Sequence, residues 1–152
     1  MKQRTNREMT KRTALSGLLI AMMLVLGYVE SLIPAVSGVP GIKLGLSNGV
    51  LIFAVYMLDL PTAWVLMVLK VTLSGLLFGG FNTIMYALAG GVLSMIAMSL
   101  LSRVKGMHPV TVSMAGGVSH NVGQVLVVVG AACGALTGIC ADSVMKHLKH
   151  MR

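Results

Sequence analysis

Acidic residues are almost missing: Glu8, Glu30, Asp59 and Asp142 are the only four in 152 positions, and they stand far apart. The paired or clustered carboxylates that hold magnesium against a diphosphate are therefore lacking. No glycine-rich Walker A loop ending in Lys-Ser or Lys-Thr occurs, so the chain does not carry its own P-loop for ATP. His120 has no Ser/Asp partners in a triad arrangement, since Ser119 beside it points to a different helix face. Cys133 and Cys140 lie seven apart with no further Cys or His at ligand spacing, which argues for small buried packing residues and against a metal centre. Neither catalytic residues, a metal nor a cofactor is expected. Charge as a whole is scarce at 11%, where a soluble domain carries roughly a quarter.

What the chain has instead is apolar length. Hydrophobic residues make up 56%, mean hydropathy is +0.88, and they come in long runs. A polytopic, all-α transmembrane bundle follows. Its net charge of +8 is not spread as a nucleic-acid surface would be, interleaved with aromatics. Lys2, Arg4, Arg7, Lys11 and Arg12 precede the first apolar run, Arg103 and Lys105 sit in a central loop, and Lys146, Lys149 and Arg152 lie after the last. Basic clusters bordering spans mark the cytoplasmic face and attract anionic headgroups. The expected setting is the plasma (inner) membrane, with a cytoplasmic N-terminus, membrane lipid as a partner and no nucleic acid.

The pattern predicts spans over about 13–33, 44–58, 62–77, 83–101 and 110–129, with an incomplete sixth over 130–145. The first run is too long for a signal peptide and lacks a clean small-x-small cleavage site, so it is read as a retained span. Gly17 and Ala21 on it form a small-xxx-small face for close helix approach. Pro34, Gly38, Pro40 and Gly41 form a loop, Pro61 opens the third helix behind Asp59 as N-cap, and Phe78 to Asn82 form a tight outer turn. Ala87, Gly90, Gly91 and Ser94 give the fourth span a second close-packing face.

The end of the chain resists this scheme. A basic, cytoplasmic C-terminus requires an even number of spans. Only 36 residues separate Pro109 from Lys146, where two spans and a turn want roughly 42. Gly130, Gly134 and Gly138 form a GxxxGxxxG packing series with no obvious turn. Either the last helix is short, or one long helix runs past the membrane; five to six spans fit.

Polar residues inside apolar spans are costly, so they mark cavities or helix contacts. Lys70 lies deep in the third span and His120 deep in the fifth, each about 12 to 15 Å from the cytoplasmic side. Ser113, Gly117, His120 and Gln124 share one helix face. Lys70, His120 and Gln124, with Glu30, Lys43, Asn48, Asn82 and Asn121, are expected to line a pocket in the outer half of the bundle. Each has a plainer reading: Lys70 snorkelling or pairing with a carboxylate, His120 bonding a backbone carbonyl, Asn48 joining helices, Lys43 anchoring at the interface. Their convergence is the stronger signal.

Four motifs carry a resemblance: GIKLGLSN at 41–48, SGLLFGG at 74–80, YALAGG at 86–91 and SHNVGQ at 119–124. In their order and spacing from about residue 13 to 129 the chain resembles the heptaprenyl diphosphate synthase component I family, also called the Gx transporter family. That family is similar to the six-helix, substrate-binding S components of energy-coupling-factor transporters. The resemblance implies a bacterial membrane protein that captures a small solute outside and works with an energising transmembrane and ATPase module. It also implies that the Gly17/Ala21 face meets the coupling subunit. One departure stands out: in the family the fifth span leads through a loop into a full sixth, whereas here Val129 runs directly into Gly130-Ala131-Ala132-Cys133.

Two functions follow as expectations. The preferred one is a substrate-binding transport component whose ligand site is Lys43, Lys70, His120 and Gln124, with an anionic solute favoured by the two lysines and the histidine. The alternative is a non-catalytic membrane accessory subunit of a heptaprenyl diphosphate synthase, because the scattered acids exclude catalysis through an Asp-rich magnesium site. A packing protein without ligand explains the glycines but not Lys70.

Overall fold

A computed structural model describes residues 6–32 and 45–150, and among them every regular element is helical. Helix α1 spans Asn6–Leu32, α2 Leu46–Met57, α3 Leu60–Ser74, α4 Gly80–Leu101 and α5 Pro109–His150, with a π-helical turn over Gly75–Gly79 between α3 and α4. Three stretches are long and apolar enough to cross a membrane: Asn6–Leu32, Leu60–Leu101 and Pro109–Lys149. Large apolar side chains such as Leu18, Val25, Phe53, Val65, Leu100 and Val118 face outward. In water such a surface would drive aggregation; in lipid it is the expected exterior. Together these place the chain among helical membrane bundles.

The middle stretch folds back on itself. A Cβ on Gly91 would meet Sδ of Met67 at 2.7 Å, and one on Gly75 would collide with the Ile84 side chain, so α3 and α4 run antiparallel. The reversal lies where the sequence puts its tight turn, but it is wound as a π turn that ends at Gly80 with φ +74, a backbone conformation that favours glycine. Consequently α3 stops at Ser74, three residues short of the predicted span. Helix α4 returns beside α5, again antiparallel: a Cβ on Gly123 would lie 2.8 Å from the Ala89 carbonyl oxygen, and one on Gly116 2.7 Å from Met98. With little hydrophobic drive between helices in lipid, such close backbone approach is what holds them together.

At the base of the bundle, Nη2 of Arg12 donates to Oδ1 of Asp59 at 2.8 Å, joining α1 to the α2–α3 junction. Asp59 holds the N-cap position of α3, yet its carboxylate makes no bond to the helix backbone; it accepts from Arg12 and from the Thr62 hydroxyl. Met23, Leu51, Met67, Met95, Met98 and Val112 are fully buried in the centre. Methionine suits such a core because its unbranched chain fills irregular gaps between closely spaced helices.

The stretches 110–129 and 130–145 are parts of one uninterrupted helix. At 42 residues α5 is about 63 Å long, roughly twice the hydrocarbon thickness. Residues up to Gln124 pack against the bundle, and every residue from 128 to 149 is exposed. No glycine-proline or polar turn signal breaks the helix here, so nothing in the chain forces it to double back. The packing expected of Gly130, Gly134 and Gly138 is not made within the chain: a Cβ on any of them meets nothing within 4 Å. The same holds for Gly17, and Ala21 is also exposed, because α1 turns Leu19, Met23, Gly27 and Glu30 inward instead. By helix geometry, Lys146 and Lys149 lie at the opposite end of α5 from Arg103 and Lys105.

Candidate functional site

Helix α2 is short, about 18 Å, and its first residues meet the last turn of α1. Its N-cap, Gly45, has φ +83 and no side chain with which to satisfy the helix start. Glu30 does that work from α1. Its Oε1 accepts the Leu46 backbone N–H at 2.5 Å, and its Oε2 accepts the Ser47 hydroxyl at 3.4 Å. A carboxylate at the N-terminus of a helix is favoured both by these orphan donors and by the helix dipole. The arrangement buries Glu30 at 6% exposure and fixes where Ser47 and Asn48 point.

Asn48, fully within the protein, presents Oδ1 to Nζ of Lys70 on α3 at 3.4 Å. Lys70 thus does not reach toward an interface; it is 8% exposed and held among helices. From the other side comes α5, placed by the small residues of α4. A Cβ on Gly90 would stand 2.6 Å from the His120 carbonyl oxygen and 3.0 Å from its imidazole Nδ1 and Cε1. Only glycine there lets the His120 ring lie against α4. One helical turn further, Gln124 is buried at 4% exposure.

These groups surround one cavity of about 40 Å³. Glu30 from α1, Ser47 from α2, Lys70 from α3, and His120 and Gln124 from α5 all line it. This volume has room for two or three waters, about a quarter of an engineered apolar cavity that takes benzene. The void accommodates waters or the head of a ligand, not a whole metabolite of ordinary size.

Of the residues singled out in the sequence, Glu30, Lys70, His120 and Gln124 meet in the wall, and Asn48 stands directly behind Lys70. Asn82 does not: it is exposed at the start of α4, because the π turn rotates that end of the hairpin outward. Asn121 is half-buried, its Oδ1 receives no hydrogen bond from the described residues, and it lies outside the cavity wall, one residue round α5 from His120. Lys43 falls outside the described residues. Conversely, Thr83 and Tyr86 line the cavity without having been singled out. Their signal was available: they are three apart on the helix that carries Gly90, hence on one face with it. Ser74, one turn above Lys70, lines it for the same reason.

A family model described as heptaprenyl diphosphate synthase component I matches residues 19–144, which take in every described residue of the cavity wall. No curated protein and no solved structure matches the chain.

Proposed function

The chain belongs to the heptaprenyl diphosphate synthase component I family, and from that premise we propose that it is an integral membrane, solute-binding component resembling the S components of energy-coupling-factor transporters. The observation that carries this reading is the cavity in which Glu30, Lys70, His120 and Gln124 converge from three helices. Ionisable groups at membrane depth are expensive, and with Glu30 used to cap α2, packing alone gives no reason for Lys70 and His120 to face the same void. Lys70 and His120 favour a small solute bearing negative charge, with Glu30 occupied in holding α2. The exposed Gly17/Ala21 face of α1 offers a close-packing surface for an energising partner in the membrane. We place the N-terminus on the cytoplasmic side of the plasma membrane, with solute entering from outside.

Purified protein should retain a small molecule detectable by mass spectrometry, and Lys70→Ala with His120→Ala should lose it. A preparation with no retained ligand in either form would sink the proposal.

The family description favours a second reading, a non-catalytic membrane subunit that positions a soluble prenyl diphosphate synthase. We propose no catalysis by this chain itself: Asp59 is engaged by Arg12, Asp142 by Lys146, and Glu30 by α2, so no acidic pair is available for a magnesium diphosphate. Copurification separates the readings. An ATPase with its membrane coupling subunit supports the first, a soluble Asp-rich synthase the second.

A further inference from the structure

We infer that the solute presents a hydrogen-bond donor, a hydroxyl or N–H, to Oε1 of Gln124, immediately beside its anionic group, as a 2-hydroxycarboxylate does. The inference rests on the proposed solute-binding role of the same cavity and adds what that role leaves open, the chemistry next to the charge. Gln124 is 4% exposed and lines the cavity, and its buried Oε1 receives no hydrogen bond from the described residues. A buried amide oxygen lacking a donor is costly, so native structures supply one from water or from a ligand. The cavity wall carries polar groups beside Gln124, and the void is large enough for water to do so when no solute is present. A solute that displaces this water must replace its hydrogen bond or bind less well.

The one carboxylate in the wall is committed elsewhere: both oxygens of Glu30 receive hydrogen bonds from the start of α2. The Gln124 amide oxygen is left as an acceptor that a donor on the solute can meet. Size adds a constraint. In about 40 Å³, a donor and the group attracted by Lys70 must be near neighbours in one small head. Two distant functional groups on an extended molecule do not fit this void together.

Acetate and glycolate, which differ by one hydroxyl, test this directly. Each is titrated against the full-length protein in detergent micelles and binding followed by saturation-transfer NMR. Glycolate should bind at least about tenfold more tightly than acetate, the discrimination expected when a buried acceptor is otherwise left unpaired. Gln124→Met should bring the two affinities together by weakening glycolate alone, while Lys70→Met should weaken both. Equal binding of the two anions by the unmodified protein, with Lys70→Met still weakening both, overturns the donor inference and leaves the solute site standing. Retention of the glycolate preference in Gln124→Met overturns it also, by placing the donor's partner elsewhere. Absence of any Lys70-sensitive binding removes the anion-binding reading together with the inference. The comparison in the unmodified protein requires no variant to fold.

Discussion

Gly90 and Glu30 each set the position of a more conspicuous neighbour. Without a side chain at position 90, the α5 backbone and the His120 ring approach α4 to a distance that a Cβ would forbid. Gly90→Val should therefore displace His120 and lower stability by about 1–3 kcal/mol, the usual range for overpacking a close contact. Gly17→Val, where the added atoms meet open space, should leave stability within about 0.5 kcal/mol. Equilibrium unfolding in mixed micelles of both variants checks the contrast; equal effects would show that the α4–α5 approach is not the constraint. Glu30 was legible as a polar outlier near the end of the first span, but its role as the cap of α2 was not. Capping across sixteen residues of chain depends on where α2 begins in space, and no local pattern carries that. The ion pair between Arg12 and Asp59 contributes less, being about a third exposed on each side.

At the scale of elements, α2 and α5 depart most from ordinary spans, one too short and one too long. The start of α2 is buried among its neighbours, where Ser47 and Asn48 meet Glu30 and Lys70. Helix α5 bears the site in its first sixteen residues and then leaves the bundle. Cys133 and Cys140 are exposed on the projecting part, about 36 and 46 Å along the helix from Pro109. If α5 runs straight through the bilayer from the cytoplasmic side, both exceed the roughly 30 Å hydrocarbon thickness. A membrane-impermeant maleimide added outside intact cells should then label both, as separate single-cysteine variants. Labelling only after the cells are opened would mean that the helix bends back, as the basic residues beyond it would prefer. The sequence exposed this difficulty through a shortage of residues, yet length alone could not choose between a truncated hairpin and a single helix.

For the whole molecule, the packed unit ends near Gln124, and every residue from 128 to 149 is exposed. Deleting residues 130–152 should accordingly leave the thermal midpoint of the detergent-solubilised protein unchanged within about 2 °C, since every described side chain removed is exposed. A larger drop would show that this segment packs against something, either its own bundle or a second chain. The four helices before it enclose a core rich in methionine and glycine, with Arg12 to Asp59 closing one end and Glu30 to α2 tying together the middle. The Gly17/Ala21 face of α1 is left exposed by the single chain.

Composition and periodicity by themselves determined that this is a helical membrane protein, because apolar runs lacking charge have no other stable setting. They also determined which polar residues are out of place, since Lys70, His120 and Gln124 stand out against hydrocarbon whatever their neighbours are. Four motifs in order were enough to identify the family. Only the tertiary structure decided which of those residues share a cavity. It admitted Glu30 and left out Asn82, because a π turn and a short helix rotate and offset side chains in ways that counting along a span does not register. It also decided that Gly90, rather than any ligand-like residue, sets where His120 lies. Close approach is a property of two helices at once, and it becomes visible only when both are in place.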